Sequence, residues 1–478
     1  MLKKFKALIE NSSQGVKSSV AFALASAVSA GMSYLTTPVF TRMLTSTEYG
    51  EVTIYLTWQS IFAIIAMFSL NYGVFNNGMM DYKDDRDGYS YSLLRLSNII
   101  TICFAILVFS FQLFFPGILK IDIKYLALMF VVFLFHPAYN FWLARQRYEY
   151  NYKPALLASV CIAVLGPLIS IAAVIILRNN RVAGRIFGLE GTLLIIYAFF
   201  YVLLGKKSGW KCNKTYWKEA FLFNLPLLPH YLSTYVLSSS DRLMISEMVS
   251  KSATSYYSVA YTIASLGLII WTAINGSLIP FTYEKCKEKD FSQLKKIVNG
   301  ILIVIAACCF LVILIAPEVI AFLGSSEYRS SVVVVPPIVG GIFFQVHYSL
   351  YANVLYYHRK PKWVMTASIT AAILNIITNY VFIGMYGYVA AGYTTLGCYM
   401  IQAIIDYFAM RRVAGESVYD IRFILLLSVI IIIVSVMGPM LYSFTILRYV
   451  IIAAVITIAI IKRDYLKRVV GGLIAKKI

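Results

Sequence analysis

Residues 297–316 read IVNGILIVIAACCFLVILIA, twenty residues without a charged side chain. A helix of about 20 mostly apolar residues is long enough to cross the hydrocarbon core of a bilayer. This stretch therefore predicts a transmembrane helix. Comparable runs recur along all 478 residues, which indicates a protein that crosses the membrane many times.

Fourteen such runs are predicted as membrane spans. Fourteen spans of about 21 residues leave only short loops and tails, so no separate soluble domain is expected. The predicted cores are 18–41, 52–75, 92–115, 123–143, 154–177, 188–204, 219–240, 256–280, 297–316, 331–356, 363–383, 387–410, 423–443 and 446–461.

The composition excludes a water-soluble enzyme. Hydrophobic residues make up 60% of the chain and charged residues 13%, whereas soluble domains are about 25% charged. The net charge is +20, and 32 of the 42 Lys and Arg residues fall in tails and alternate loops if the N-terminus is cytoplasmic. This bias predicts that both termini are cytoplasmic. The net charge thus reports orientation, and no nucleic-acid partner is expected.

No cofactor or metal site is predicted. The seven cysteines contain no CxxC pair and lack the spacing of zinc ligands. There is also no glycine-rich phosphate loop.

An internal repeat divides the chain. The stretch PVFTRMLTSTEYGEVTIYLTW (38–58) resembles SSSDRLMISEMVSKSATSYYSVAYTIA (238–264), with Tyr49 matching Tyr256 at an offset of 207. The same offset pairs Lys153-Pro154 with Lys360-Pro361, and FGLEGT before span six resembles YGYVAAGYT before span twelve. We therefore predict an all-α fold of two pseudo-symmetric six-helix lobes plus two C-terminal helices, with a substrate route between the lobes.

The predicted segments follow from this repeat. They are a cytoplasmic tail (1–17), an N-terminal lobe (18–205), a basic linker (206–218), a C-terminal lobe (219–412), helices 13 and 14 (413–461) and a second cytoplasmic tail (462–478).

Polar side chains at membrane depth are the candidate site residues, because a central charge costs about 2.5–3.5 kcal/mol there. Snorkelling arginines and hydrogen-bonded core His or Asn side chains are the alternative interpretation. Asp241, His230 and Asp406 are candidates for coupling to a proton or sodium gradient. The substrate-binding candidates are Arg42, Asn71, Arg95, His136, Asn140, Arg145, Asp241, Arg242, Asn275 and His347.

Four stretches carry a family resemblance. PVFTRMLTSTEYG (38–50), NLPLLPHYLSTYVLSSSDRLMI (224–245), YYSVAYTIA (256–264) and INGSLIPFTYE (274–284) resemble the bacterial O-antigen and capsular polysaccharide flippases. These form the polysaccharide transporter branch of the multidrug/oligosaccharidyl-lipid/polysaccharide exporter superfamily.

The resemblance implies a transporter and not an enzyme. It would move an undecaprenyl-diphosphate-linked oligosaccharide across the bacterial inner membrane by alternating access, as part of O-antigen, lipopolysaccharide or capsule biosynthesis. A glycan polymerase and a chain-length regulator would be partners in the same bilayer. The family's arginine after the first span corresponds to Arg42, and its Asp-Arg of span seven to Asp241-Arg242. Spans two and eight depart from the family, since they carry Asn71 and Asn275 and no charge.

Two alternatives stay open. A cation-coupled multidrug exporter of the same superfamily needs an acidic residue deep in its cavity, and the sequence singles out no clear one. A membrane glycan polymerase or ligase normally needs a large outer loop, and the predicted outer connections are short.

Overall fold

The computed structural model describes residues 14–71 and 73–462, apart from the side chains of 14–20, 23, 273 and 459. The predicted tails 1–17 and 462–478 lie outside these residues, except for 14–17 and Lys462. The described chain is helical and contains no strand. Its helices are α1 (Gln14–Met43), α2 (Ser46–Ala66), α3 (Gly73–Asp81), α4 (Arg86–Phe114), α5 (Ile123–Tyr148), α6 (Tyr152–Ile176), α7 (Arg181–Lys207), α8 (Thr215–Asn224), α9 (Leu228–Met248), α10 (Lys251–Ala264), α11 (Leu266–Glu288), α12 (Phe291–Leu323), α13 (Val335–Tyr357), α14 (Pro361–Tyr386), α15 (Tyr388–Ala414), α16 (Ile421–Leu441) and α17 (Thr445–Ile461).

The all-α, polytopic prediction is confirmed. Each of the fourteen predicted runs lies mainly on helix. Within the described residues, ten helical segments are long and apolar enough to cross a membrane, and Thr445–Ile458 forms a shorter apolar helix. The count of fourteen spans stays a prediction.

The second predicted span is broken, although an unbroken run over 52–75 was expected. Helix α2 ends at Ala66 and α3 begins at Gly73, and Phe68 and Ser69 between them have φ of 54° and 48°. Asn224 donates from Nδ2 to the Phe68 carbonyl across 2.7 Å. The Phe68 ring also stacks on Phe221 at 4.9 Å between centroids. The break is held by tertiary contacts, which an apolar pattern does not reveal.

Spans seven and eight are also interrupted. Leu225–Leu227 form a 3-10 turn that contains Pro226, between α8 and α9. Proline lacks the N–H that a continuous helix needs, so a break there is expected. Helices α10 and α11 meet at Ser265, whose hydroxyl donates to the Thr262 carbonyl at 2.7 Å.

The chain forms two compact units, Met1–Leu232 and Ser233–Ile478, which we call unit 1 and unit 2. Their boundary falls within α9, and the predicted lobe and linker boundaries stay a prediction. In unit 2, α13 and α15 pack closely at glycines. A Cβ on Gly392 of α15 would lie 3.0 Å from Pro337 Cγ of α13, and one on Gly340 of α13 would lie 3.1 Å from Leu396 Cδ1 of α15. Small residues let helix backbones approach in this way.

Candidate functional site

Asp241 is the centre of a buried polar network in unit 2. Its side chain is 0% exposed. Its carboxylate accepts hydrogen bonds from Tyr257 Oη at 2.5 Å, Asn379 Nδ2 at 2.6 Å and Thr395 Oγ1 at 2.9 Å. Several donors aimed at one carboxylate favour its charged form. Three donors from other helices therefore satisfy this buried carboxyl group inside the helix bundle.

A second layer of side chains fixes these donors. Asn375 Nδ2 donates to Thr395 Oγ1 at 3.1 Å, and Asn375 Oδ1 accepts from Asn379 at 3.1 Å and from Ser240 at 3.2 Å. Thr394 donates to Asn379 Oδ1. Helices α9, α10, α14 and α15 thus converge on one carboxylate. Asn375 and Asn379 were not among the predicted site residues, although their i, i+4 spacing places them on one helix face.

Arg242 lies beside this network. Its guanidinium Cζ is 4.5 Å from the centroid of the Tyr261 ring, and its Nη1 donates to the Ser238 carbonyl at 3.2 Å. The side chain is partly exposed. A guanidinium held flat on an aromatic ring keeps its edge available for an anion. In unit 1, Arg42 is exposed and donates from Nη1 to the Pro38 carbonyl of its own helix at 2.9 Å.

Glu190 is a buried acid of unit 1 that the sequence analysis did not single out. It is 0% exposed in α7, and Gln59 of α2 donates to its Oε1 at 2.8 Å, while its Oε2 has no partner among the described residues. Arg185 Cζ lies 4.0 Å from the Phe40 ring one turn before Glu190. The sequence could have revealed Glu190, because it is the only charged residue in the apolar stretch FGLEGTLLIIYAFF (187–200).

Two predicted residues, Arg95 of α4 and His136 of α5, contact tyrosines of α7 beyond Glu190. His136 stacks on Tyr197 with 4.5 Å between ring centroids. The Tyr201 hydroxyl lies 3.0 Å from the Asn98 amide and 3.5 Å from Arg95 Nη1. Because Glu190, Tyr197 and Tyr201 are spaced by seven and four residues, they share one face of α7 over about 16 Å. The structure thus places Arg95 and His136 beside the face of α7 that carries Glu190, Tyr197 and Tyr201.

Arg145 is engaged in an ion-pair cluster. It pairs with Asp87, and its Nε lies 2.9 Å from Glu149 Oε1. Arg86 reaches the same Glu149 oxygen at 3.7 Å. Two carboxylates therefore already neutralise much of the Arg145 charge. As a contact for an anion it is less available than Arg95, which is exposed.

Tyr82, which lies outside the predicted spans, forms a hydrogen bond between two segments of unit 1. The Tyr82 hydroxyl donates to Glu219 Oε2 at 2.6 Å. This hydrogen bond to a carboxylate raises the pKa of Tyr82 to about 12. The contact joins the segment after α3 to α8.

The remaining predicted residues form no hydrogen bond that the described structure records with the groups above. Asn71 falls in the break between α2 and α3, and His230 lies beside Tyr231 at 5.9 Å between ring centroids. Asn275 accepts from Asn353 Nδ2 at 2.9 Å. The other three are partly buried Asn140 of α5, His347, which packs edge-on against Phe343 at 4.5 Å, and Asp406 of α15.

A cavity of 620 Å³ lies between α14 and α15. Its wall is almost wholly apolar and includes Leu374, Phe382 and Ile401. Thr394, which donates to Asn379, also lines it. Such a wall suits a hydrocarbon chain and offers few partners for a sugar. Among the described residues, no group of three or more His, Cys, Asp or Glu side chains could hold a metal ion.

Sequence comparisons place the chain in a family of polysaccharide biosynthesis proteins. Residues 16–285 match the model of a family described as polysaccharide biosynthesis protein, and residues 226–381 match the MatE family. A protein of the Lsg locus of Haemophilus influenzae is 22% identical over 373 residues, which cover 75% of this chain and 89% of that protein.

Solved structures show the same fold at low sequence identity. The lipid II flippase MurJ in an inward closed conformation gives a TM-score of 0.68 at 15% identity, covering 94% of this chain and 100% of that chain. An inward-facing multidrug resistance MATE family transporter gives 0.65 at 13% identity, covering 81% and 95%. A MOP superfamily transporter from Pyrococcus furiosus gives 0.61 at 13% identity, covering 85% and 96%.

Proposed function

This chain belongs to the polysaccharide biosynthesis protein family, and from that premise we propose that it is a flippase for lipid-linked glycans. The substrate is an undecaprenyl-diphosphate-linked oligosaccharide, an O-antigen or capsule repeat unit. The protein moves it from the cytoplasmic to the outer leaflet of the bacterial inner membrane by alternating access. The observation that carries this proposal is the family match, which spans more than half of the chain.

The substrate diphosphate is proposed to bind arginines. Arginine presents paired donors that fit phosphate oxygens. Arg242, partly exposed and stacked on Tyr261, is the favoured contact of unit 2, while exposed Arg42 and Arg95 serve unit 1. The polyprenyl tail stays in the lipid, and the protein supplies no catalysis. A polymerase and a chain-length regulator would receive the glycan after transport.

Asp241 is proposed to couple transport to a cation gradient. Its carboxylate has a donor network fixed by four helices, so adding a proton or sodium ion there would rearrange contacts among all four. A ligand shifts a conformational equilibrium only by binding one state better than the other. The coupling therefore requires that one conformation keeps these donors on the Asp241 carboxylate and the other releases them. His230, partly buried beside Tyr231, is a secondary candidate for the same coupling.

A multidrug exporter is the second candidate, favoured by two observations. Residues 226–381 match the MatE family. Glu190 also supplies the buried acid that binding of a cationic drug would need. The two functions differ in substrate charge, so they respond in opposite ways to the loss of an arginine or an acid.

Complementation of a bacterial strain that lacks its O-antigen flippase tests the proposal. The wild-type chain should restore surface glycan, provided that the repeat unit matches. Arg242→Ala should abolish display at equal membrane abundance, while Arg178→Ala, which removes an exposed arginine from the turn after α6, should not. Full display by the Arg242 variant would refute its role. Drug resistance without glycan display would favour the exporter.

A further inference from the structure

Asp406 is a buried carboxyl group without a hydrogen-bond partner. Its side chain is 0% exposed in α15, and neither Oδ1 nor Oδ2 is hydrogen-bonded to any residue that the structure describes. One turn earlier, Gln402 is 2% exposed and its Oε1 is also unpaired within the described chain. Three acceptor oxygens therefore stand unsatisfied on one helix face.

The surroundings of Asp406 offer no compensating charge. Helix α13 contributes Tyr348 and Tyr351, the ionisable groups that interact with the carboxyl group. Tyr261 of α10 interacts with Asp241 and Arg242 instead. On α15 itself, Arg411 lies more than one turn away and donates to Tyr407 at 3.2 Å. Among the described residues, no ion pair includes Asp406.

The two carboxyl groups of unit 2 therefore have opposite environments. Asp241 accepts three hydrogen bonds, which favour the charged form. Asp406 has no donor or cation, so a negative charge there would be costly in the low-dielectric interior. Protonation removes that cost. When two carboxyl groups of one bundle differ in this way, one is suited to stay ionised and the other to carry a proton.

We propose that Asp406 is a proton-binding site of unit 2, neutral in the conformation described here. One proton from water adds to a carboxylate oxygen and cancels its charge, and opening of the α13–α15 interface to water releases it. The inference deepens the proposed transport function, because such a site favours the closed interface only when protonated.

Two tyrosines of unit 2 interact electrostatically with the two carboxyl groups. Partly exposed Tyr348 interacts with Asp406 and with Tyr399, and Tyr399 interacts with Asp241. Their side chains come from α13 and α15, the helices that would have to separate.

Labelling with dicyclohexylcarbodiimide tests the protonation state directly. The reagent enters lipid and adds as a whole molecule to a protonated carboxylic acid. Purified protein in liposomes at pH 7 should carry about tenfold more label on Asp406 than on Asp241, the least difference expected from such opposite environments. Mass spectrometry of peptides gives both values in one sample. Asp406→Asn should lose that labelled peptide, and equal labelling of the two aspartates overturns the proposal.

The pH dependence of stability provides a second readout. If the folded chain keeps a proton on Asp406 that the unfolded chain releases, stability falls as pH rises from 5 to 8. The unfolding equilibrium constant of the wild type should rise by about tenfold per pH unit relative to Asp406→Asn. Glu327→Gln, which changes an exposed carboxyl group of unit 2, serves as the control and should not remove this slope. Equal slopes for the wild type and the Asp406 variant contradict the proposal.

Neither experiment uses the transported substrate. Failure of glycan transport would therefore overturn the proposed function and leave the protonation of Asp406 standing, and the reverse also holds.

Discussion

Asn379 donates from Nδ2 to Oδ1 of Asp241 across 2.6 Å, and this bond joins α14 to α9 inside unit 2. Both side chains are fully buried. The carboxylate therefore depends on donors from other helices, and removal of any donor weakens both the packing of those helices and the charge that they hold.

Asn379→Ala should destabilise the protein and impair cation coupling. Loss of a hydrogen bond to a charged group typically costs about 1.5–3 kcal/mol. We expect a lower melting temperature in detergent and reduced dependence of transport on the cation gradient. Asn179→Ala is the control, because Asn179 is exposed in the turn between α6 and α7 and should change stability by less than about 0.5 kcal/mol. An unchanged melting temperature for Asn379→Ala would contradict the account of the network.

Arg448 and Glu318 should fix the last described helix. Arg448 donates from Nη1 and Nη2 to the Glu318 carboxylate at 2.7 and 2.6 Å, and from Nη1 to the Leu314 carbonyl. Most other side chains of α17 are exposed. Glu318→Gln should therefore cost about 1.5–3 kcal/mol and increase proteolysis at α17. Lys462→Gln, which changes an exposed charge beyond the helix, is the comparison. Equal protease resistance of the two variants would argue against this anchor.

The contact between Tyr82 and Glu219 predicts a change in stability at alkaline pH. The pKa of Tyr82 rises from 10.0 to about 12 because its hydroxyl donates to the carboxylate. A folded-state pKa above the unfolded value means that the stabilisation is complete below pH 10 and is lost as pH rises through about 12. Tyr82→Phe should remove this part of the pH profile. Ultraviolet titration of tyrosinate in both proteins measures it, and identical difference spectra would exclude the predicted shift.

Much of the fold follows from the amino-acid sequence, for a physical reason. Hydrocarbon demands long apolar helices, so runs such as 297–316 had to be helical, and the structure confirms them. The stretches around Arg42 and Asp241 pointed to the polysaccharide flippases, and the family match confirms that resemblance. The break after Ala66 could not be predicted, because it depends on Asn224 from a distant helix.

The candidate site was predicted less completely. Asp241 and Arg242 stood out because charges are rare inside spans. Their partners Asn379 and Thr395 are ordinary bundle residues until the fold brings them together. Glu190 is also a charged residue inside a predicted span, but the sequence analysis overlooked it. The span was assigned to begin at residue 188, so Glu190 was placed at the end of the span and not at membrane depth.

Glu190 separates the two candidate functions. Glu190→Gln keeps an acceptor for the Gln59 amide at almost the same volume and removes the acid. A flippase for an anionic substrate should keep most of its activity, whereas an exporter of cationic drugs should lose drug binding. Glycan display and drug susceptibility of the same strain give the comparison. Loss of glycan display alone would assign Glu190 to the flippase mechanism and remove this support for the exporter.

Transport of lipid-linked oligosaccharide in proteoliposomes tests the central claim most directly. Purified protein is reconstituted with a fluorescent undecaprenyl-diphosphate oligosaccharide, and a lectin outside the vesicles detects glycan that has crossed the bilayer. The account predicts rapid crossing with the wild-type protein, and crossing at the rate of protein-free vesicles with Arg242→Ala. Wild-type vesicles that move a cationic drug but leave the oligosaccharide in its original leaflet would contradict it.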